Sequence, residues 1–182
     1  MIKLGIAIPI IAIRPSDGSK NANLCAEQYD KLRDALLRSR DWNFAVKRFK
    51  LAQVTETPVF GFDFAYQLPA DWLKTLLVSP TTSDASAVRY AIEAQTILSN
   101  ASDIYLRYIA RITDPNVMDA LFREALSWRI AIDLAQPVTQ STTVMEAMQR
   151  GFDTSVSSAD AQDAIEDYPP ERPESSWVSV RM

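Results

Sequence analysis

The chain has 182 residues, of which 47% are hydrophobic and 23% charged, and its formal net charge is −4. This length supports one domain with its own core, and the single cysteine, Cys25, excludes an internal disulfide. The chain has no histidine, which excludes His-based nucleophilic catalysis, His-ligated zinc and imidazole proton transfer near neutral pH. Carboxylates, Lys, Tyr and Ser remain as possible catalytic groups.

Charge is distributed unevenly along the chain. Residues 153–182 carry seven acidic and two basic side chains, whereas the preceding 152 residues carry 16 acidic and 17 basic ones. The body is therefore almost neutral and the C-terminal part is acidic. The sequence shows no strongly basic face of the kind that indicates nucleic-acid binding. The four glycines form no phosphate-binding loop.

Residues 1–13 are apolar except for Lys3. Such a stretch is too short to span a membrane as a helix, and Pro9 and the following Arg14-Pro15 do not fit a secretory signal. We expect a short extended segment or helical turn that covers a hydrophobic groove.

A first helix is predicted over about 19–40. Ser19 or Asn21 can cap its free amides. The apolar face is marked by helical spacing, with Cys25, Tyr29, Leu32 and Leu36 on one side. Cys25 on this stripe is interpreted as an inert core thiol.

A β-subdomain is predicted over about 44–112. Residues 62–68 alternate aromatic or apolar with small or polar side chains, which is typical of a strand. The apolar positions of 44–51 predict a partner strand for 62–68. Three further runs, 73–78, 88–93 and 104–112, are strand candidates. Together these runs predict one small antiparallel sheet.

Two more helices are predicted, over about 115–136 and 141–165. Asp114-Pro115 suits the start of the first and Pro137 its end, while Thr143-x-x-Glu146 forms a capping box for the second. The apolar surface of the 115–136 helix is unusually broad, which predicts packing inside a bundle or between subunits. The residues assigned to that packing are Leu121, Phe122, Trp128 and Ile132.

Residues 167–182 contain three prolines and no periodicity, yet end in an apolar group that includes a tryptophan. An extended, apolar-tipped peptide is a common recognition form, so we interpret 167–182 as an arm that docks on another subunit or partner; the alternative is a frayed tail. The residues assigned to docking are Tyr168, Pro169, Pro170, Pro173, Trp177, Val178, Val180 and Arg181.

No catalytic, cofactor-binding or metal-binding residue is predicted. Asp63, Asp71 and Asp114 lie where strands or helices begin or end, so they are interpreted as turn and cap residues. The acidic residues of 160–167 lack the spacing and the central glycine of a calcium loop. The basic cluster at 47–50 could bind a single nucleic-acid strand, but a charged strand edge is the more ordinary interpretation.

Several short motifs, in order along the chain, resemble a known family. They are Asp17-Gly-Ser-Lys-Asn-Ala, Cys25-x-x-x-Tyr-Asp-x-x-Arg-Asp-Ala-Leu-Leu-Arg, Trp42-Asn-Phe-Ala, the aromatic strand ending in Pro69-Ala-Asp71, Leu106-x-Tyr-Ile, Phe122-x-x-Ala-Leu, and the final Ser176-Trp177 with Arg181. Over about 16–182 this order resembles the tail tubular protein A family, the head-to-tail adaptors (gatekeepers) of short-tailed bacteriophages. The signature residues are Tyr29, Arg33, Leu36, Trp42, Phe44, Pro69 and Asp71.

The resemblance implies a fold and a role. It implies an α+β protein, with a bundle of three to four helices and a small antiparallel β-subdomain within 1–166, followed by the extended arm 167–182. It further implies a structural virion protein of the tail neck, made in the host bacterial cytoplasm, without cofactor or membrane partner. Such adaptors form a ring, typically twelve-fold, between the portal protein and the tail nozzle protein.

Genomic double-stranded DNA passes through such a ring without sequence-specific binding. On this interpretation the helices face the portal and the β-subdomain faces the tail. The alternatives are another neck or head-completion ring protein, and a small non-viral binding module or a catalyst of unknown type.

Overall fold

A computed structural model of the chain describes residues 2–5, 10–13, 15–83 and 88–166. The proposed arm, 167–182, lies outside the described residues. The predicted α+β class is confirmed, with three α-helices and six strands among these residues. In chain order they are α1 (Lys20–Ser39), β1 (Val46–Lys50), β2 (Phe64–Gln67), β3 (Trp72–Ser79), β4 (Tyr90–Glu93), β5 (Thr96–Ser99), β6 (Tyr105–Ala110), α2 (Ala120–Thr139) and α3 (Thr142–Glu166), with short 3-10 turns at Ile2–Leu4 and Asn43–Ala45.

The strands form two antiparallel sheets instead of the single sheet that was predicted. One has the order β1-β6-β3 and the other β2-β5-β4. The predicted pairing of 44–51 with 62–68 is wrong, because β1 pairs with β6, Val46 opposite Ile109. Only a single bridge, Gln53 to Tyr66, joins the chain after β1 to β2. Alternation predicts which face of a strand is buried, but not which strand lies beside it.

Helix α2 begins later and ends later than the sequence predicted. The cap is Asp119, whose Oδ1 accepts hydrogen bonds from the amides of Leu121 and Phe122 at 2.7 and 3.2 Å. Asp114 instead accepts from the amide of Asn116 at 2.9 Å, which closes a turn before the helix. Pro137 does not stop α2; it lies in the last turn, where its missing amide costs one helical hydrogen bond and the helix continues to Thr139.

The start of α3 also differs from the prediction. The capping box at Thr143 is not formed as predicted, since Thr143 lies inside the helix. The amide of Val144 donates instead to Ser141 Oγ at 3.3 Å. Ser and Thr are both good caps. The sequence Ser141-Thr142-Thr143 therefore does not determine which of the three residues caps α3.

Three aromatic rings join the helices to the sheets. Trp42 is fully buried, and its indole Nε1 donates to the Leu36 carbonyl at the end of α1, at 2.9 Å. Its ring meets Phe122 of α2 edge-on, with centroids 5.0 Å apart, and Phe44 lies 5.1 Å from Phe122. Edge-to-face pairs stabilise beyond their buried area, and this group lies within the main core.

A second, smaller core lies among the helices and the N-terminal segment. Leu4 is buried there with Cys25 of α1, Leu134 of α2 and Met148 of α3. Ile10 and Ile13 pack against the same cluster, so the described part of the N-terminal segment covers apolar helix surface. Burial raises the pKa of the Cys25 thiol, which keeps it protonated and unreactive.

Helices α2 and α3 approach each other closely at Gly151. A Cβ added there would lie 2.7 Å from ring carbons of Trp128. On the same indole, the Lys3 ammonium lies 3.5 Å from the ring centroid and also forms an ion pair with Glu124. Trp128 therefore contacts both the glycine of α3 and the ammonium of the N-terminal segment.

We predict that Gly151→Ala lowers the free energy of unfolding. An alanine within a helix ordinarily gains about 1 kcal/mol over glycine, but overpacking against the indole costs about 1–3 kcal/mol. Urea unfolding measures the net effect. In a Trp128→Leu background the same substitution should raise stability, and a gain in both backgrounds would show that the close approach does not constrain the helices.

Candidate functional site

The signature residues lie where helices or strands of the fold meet. Leu36, Trp42 and Phe44 belong to or border the aromatic group of the main core. Tyr29 and Arg33 line a cleft beside α1. Pro69 and Asp71 form the turn between β2 and β3, where the Trp72 amide donates to the Pro69 carbonyl at 3.0 Å.

A buried arginine organises the cleft beside α1. Arg33 is only 4% exposed, and its guanidinium contacts Asp30 at 2.8 Å and Asp34 at 2.7 Å. Asp34 Oδ2 also accepts from Arg111 Nε at 2.7 Å, across to the segment that follows β6. The Tyr29 ring lies 5.9 Å from the Arg33 guanidinium carbon.

This cleft has a volume of about 760 Å³ and an almost neutral lining. Asp30 and Asp34 balance Arg33 and Arg111, and Arg33 directs its planar fork at two carboxylates. Charge-assisted bonds of this kind fix geometry strongly. The arrangement therefore ties α1 to the end of β6, and its chemistry is that of a structural ion network.

We predict that Arg33→Ala lowers the free energy of unfolding by about 1.5–3 kcal/mol, because it removes a buried side chain and its charge-assisted bonds to the partly exposed Asp30 and Asp34. The matched control is Lys31→Ala on the same helix, which breaks the exposed Lys31–Glu27 pair at 3.7 Å. Exposed pairs contribute about 0–1 kcal/mol. Equal effects of the two substitutions in urea unfolding would contradict the structural role of Arg33.

Asp71 connects three strands. Its carboxylate accepts from Lys47 Nζ of β1 at 2.7 Å and from the Tyr108 hydroxyl of β6 at 2.9 Å, and its carbonyl accepts from the Arg111 amide at 2.6 Å. Burial acts to raise the pKa of Asp71, but the bonds from Lys47 and Tyr108 outweigh it and lower that pKa. Burial and the bond to Asp71 raise the pKa of Tyr108.

We predict that Asp71→Asn destabilises the protein at neutral pH and that the difference from the unsubstituted chain shrinks in acid. A carboxyl whose pKa is lowered by folding stabilises the fold above its ordinary value of 3.8, and this contribution is lost as pH falls through the lowered value. Urea unfolding at about pH 7 and about pH 3 measures it. Asp103→Asn, in the exposed Lys50–Asp103 pair, is the control; an equal effect there would refute the special role of Asp71.

The four residues assigned to helix packing occupy different environments. Phe122 is fully buried in the main core of its own chain. Leu121, Trp128 and Ile132 are half-buried. Leu121 and Trp128 line a shallow groove between α2 and α3 that also includes Gly151. Of these four residues, therefore, Leu121, Trp128 and Ile132 leave side-chain surface that a neighbouring subunit could contact, and Phe122 does not.

The loop between β1 and β2 carries the most exposed apolar pair of the described chain. Val59 is 96% exposed and Phe60 is 87% exposed, between Pro58 and Gly61. Gly61 has a φ of +83°, a conformation that L side chains rarely adopt. Sequence reasoning missed this feature. The sequence signal that could have predicted it is an apolar pair between Pro and Gly, because these two residues indicate a turn and so place the large side chains in a loop.

A basic groove lies on the β1-β6-β3 sheet. Arg48 of β1 stands directly opposite Arg107 of β6, and Lys50 opposite Tyr105. Lys50 pairs with Asp103 at 2.8 Å. The groove has a volume of about 310 Å³, and its apolar lining comes from Phe49, Leu77, Tyr105 and Leu106. The predicted charged strand edge is thus part of a concave surface.

Other classes of site receive no support from the described residues. Among them, no three Cys, Asp or Glu side chains group to hold a metal ion. Within the described ranges, each helix is too short or too polar to cross a membrane. Protein-family models give no match to the chain, and neither do curated protein sequences. The resemblance to phage tail adaptors therefore stays a hypothesis for this chain.

Proposed function

We propose that this chain is a structural virion protein, a ring-forming head-to-tail adaptor that joins the portal to the tail nozzle of a short-tailed bacteriophage. The observation that carries the proposal is the placement of the signature residues. Trp42 joins α1 to α2, and Arg33 holds the Asp34 carboxylate that bonds to Arg111 beyond β6. Asp71 joins β1 to β6 from the turn before β3. A protein that must stay rigid under the pressure of packaged DNA needs such joints, whereas a catalyst needs a reactive group in a cleft.

The proposed chemistry is contact without catalysis. Several carboxylates in the described ranges act as caps, turn residues or ion-pair partners, as Asp119, Asp71 and Asp34 illustrate. The exposed pair Val59 and Phe60 is typical of an interaction surface. We therefore assign no catalytic residue, cofactor or membrane contact to the chain.

The charge distribution suits a DNA channel. Each phosphate that a protein neutralises adds salt-dependent affinity, and a conduit must release its cargo. The almost neutral body and the acidic 153–182 segment supply little such affinity. The proposed partners are further copies of the chain in a ring of twelve, the portal, the nozzle and double-stranded DNA passing through, all in the virion neck.

The proposed orientation comes from the resemblance to the tail adaptors and from the different sequence periodicities of the helical and β parts. In the proposed assembly the helices face the portal, and the strands within 44–112 face the nozzle. The segment 167–182 docks on the portal or on a neighbouring subunit. Its prolines limit the entropy lost on docking, Trp177 is the anchor, and Arg181 can form a forked bond to a carboxylate.

Complementation in the phage that encodes the chain tests this proposal. With a stop codon in the gene, DNA-filled heads should accumulate without tails. Trp177→Ala and deletion of 167–182 should also reduce tailed particles, while thermal unfolding of the purified variants should stay nearly unchanged, because the apolar stripes at 25–36 and 117–135 belong to other parts of the chain. Ser175→Ala is the matched control.

The outcomes separate two claims. Tailed particles at normal yield from the stop-codon phage would refute the adaptor role. Normal yield from both arm variants, with a tailless stop-codon phage, would refute only the docking of the arm.

A further inference from the structure

Strand β4 forms an open edge of the β2-β5-β4 sheet. It pairs with β5 on one side, and among the described residues no segment pairs with its other side. The opposite edge of the sheet, β2, is covered by the chain after β1, since the Val54 amide donates to the Ala65 carbonyl at 2.8 Å. An unpaired strand edge is a template for a further strand, and lysine or proline commonly blocks it. The sequence of β4, Tyr-Ala-Ile-Glu, contains neither.

The large apolar side chains of β4 are exposed. Tyr90 is 41% exposed and Ile92 is 37% exposed. The strand register places Ile92 opposite Ile97 of β5, on the same face of the sheet, and Ile97 is fully buried. The apolar face of this sheet is therefore covered at β5 but not at β4. A further strand beside β4 would extend the face and cover both side chains.

The turn between β4 and β5 determines which backbone groups of β4 point outward. Glu93 and Thr96 stand opposite each other across a two-residue turn, and the closing pair of such a hairpin is hydrogen-bonded. Hydrogen-bonded and non-hydrogen-bonded pairs alternate along antiparallel strands. The amides and carbonyls of Tyr90 and Ile92 therefore point away from β5, whereas those of Ala91 point towards it.

These directions select one register for two antiparallel copies of β4. All the outward amides and carbonyls find partners when Tyr90 stands opposite Ile92 of the second copy. The same register places Ala91 opposite its own counterpart at the two-fold axis. It also places Arg89 of each copy opposite Glu93 of the other. Aromatic with β-branched residues, and opposite charges, are both favourable cross-strand pairs, so the edge of β4 is complementary to itself.

The charged pair lies on the sheet face opposite Tyr90 and Ile92, and both of its members are exposed. The Arg89 guanidinium carbon lies 5.3 Å from the centroid of the Phe62 ring, which holds this side chain beside the sheet. Val59 and Phe60 line the same shallow surface as Glu93. Exposed apolar side chains thus lie on both faces of the edge, as is typical of an interaction surface.

We propose that two copies of this chain associate through their β4 strands and join their β2-β5-β4 sheets into one continuous antiparallel sheet. The contact uses the same surface of both copies, so it is isologous and closes at a dimer. A head-to-tail ring uses two different surfaces. The dimer is therefore a state of the free chain, and this inference does not rest on the proposed adaptor function. A contact made by so short a strand is a weak one.

Disulfide trapping at the two-fold axis tests the contact in the full-length chain. In the proposed register the two Ala91 residues form a non-hydrogen-bonded pair, whose Cα atoms lie about 4.5 Å apart, and a disulfide spans about 4.4–6.8 Å. On mild oxidation Ala91→Cys should give a covalent dimer and no larger species. The matched control is Ala35→Cys, at an exposed position of α1; the native Cys25 is buried.

The yield of covalent dimer decides the outcome. Association in register raises the effective concentration of the two thiols, so Ala91→Cys should be trapped at least about tenfold more efficiently than Ala35→Cys. Trapping equal to the control would show that β4 does not pair with a second copy, and it would overturn the proposal.

Charge exchange in the Ala91→Cys background tests the register. Arg89→Glu should reduce trapping, as should Glu93→Arg, because each places like charges opposite each other in the dimer. A 1:1 mixture of the two variants restores opposite charges in the mixed dimer and should restore trapping. Failure of this restoration would overturn the proposed pairing.

The results also separate this inference from the adaptor role. If the dimer fails both tests while the stop-codon phage is tailless, the adaptor role survives and the β4 contact is wrong. Trapping and restoration in a chain that is dispensable for tails would show the reverse.

Discussion

The burial of one indole ring holds the helical and β parts of this protein together. Trp42 bonds to the last turn of α1 and packs edge-on against Phe122 of α2, just before the chain enters β1. Replacing such a ring by alanine typically costs about 3–5 kcal/mol. Loss of this contact would weaken the packing of α1 and α2 against each other and against the main core.

Two ion networks complete the joint around that aromatic group. Asp34 connects Arg33 of α1 with Arg111 beyond β6, and Asp71 connects Lys47 of β1 with Tyr108 of β6. The Arg111 amide also donates to the Asp71 carbonyl, so both networks meet at the end of β6. Hydrogen bonds and ion pairs thus connect the elements where they meet, whereas the exposed Val59 and Phe60 lie apart from these networks along the chain, in the loop after β1.

The sequence alone predicted where helices and strands lie better than it predicted which strands pair with each other. A cap at Ser19 or Asn21 and the period of α1 were predicted because both signals are local, and Ser19 is the cap that forms. The start of α2 was wrong because Asp114 and Asp119 are equally good caps, and only packing selects the second. The strand partners and the exposure of Phe60 depend on contacts between distant segments. The burial of Arg33 was likewise not predictable. Its position beside the apolar face of α1 is equally compatible with a buried and with a solvent-exposed side chain.

The central claim is that this chain forms the ring between portal and nozzle. A cryo-EM reconstruction of the neck of virions from the encoding phage tests it most directly. The account predicts a closed ring of this chain, twelve copies, with α1, α2 and α3 toward the portal and β1 to β6 toward the nozzle. Absence of the chain from the neck, or strands packed against the portal, would contradict it.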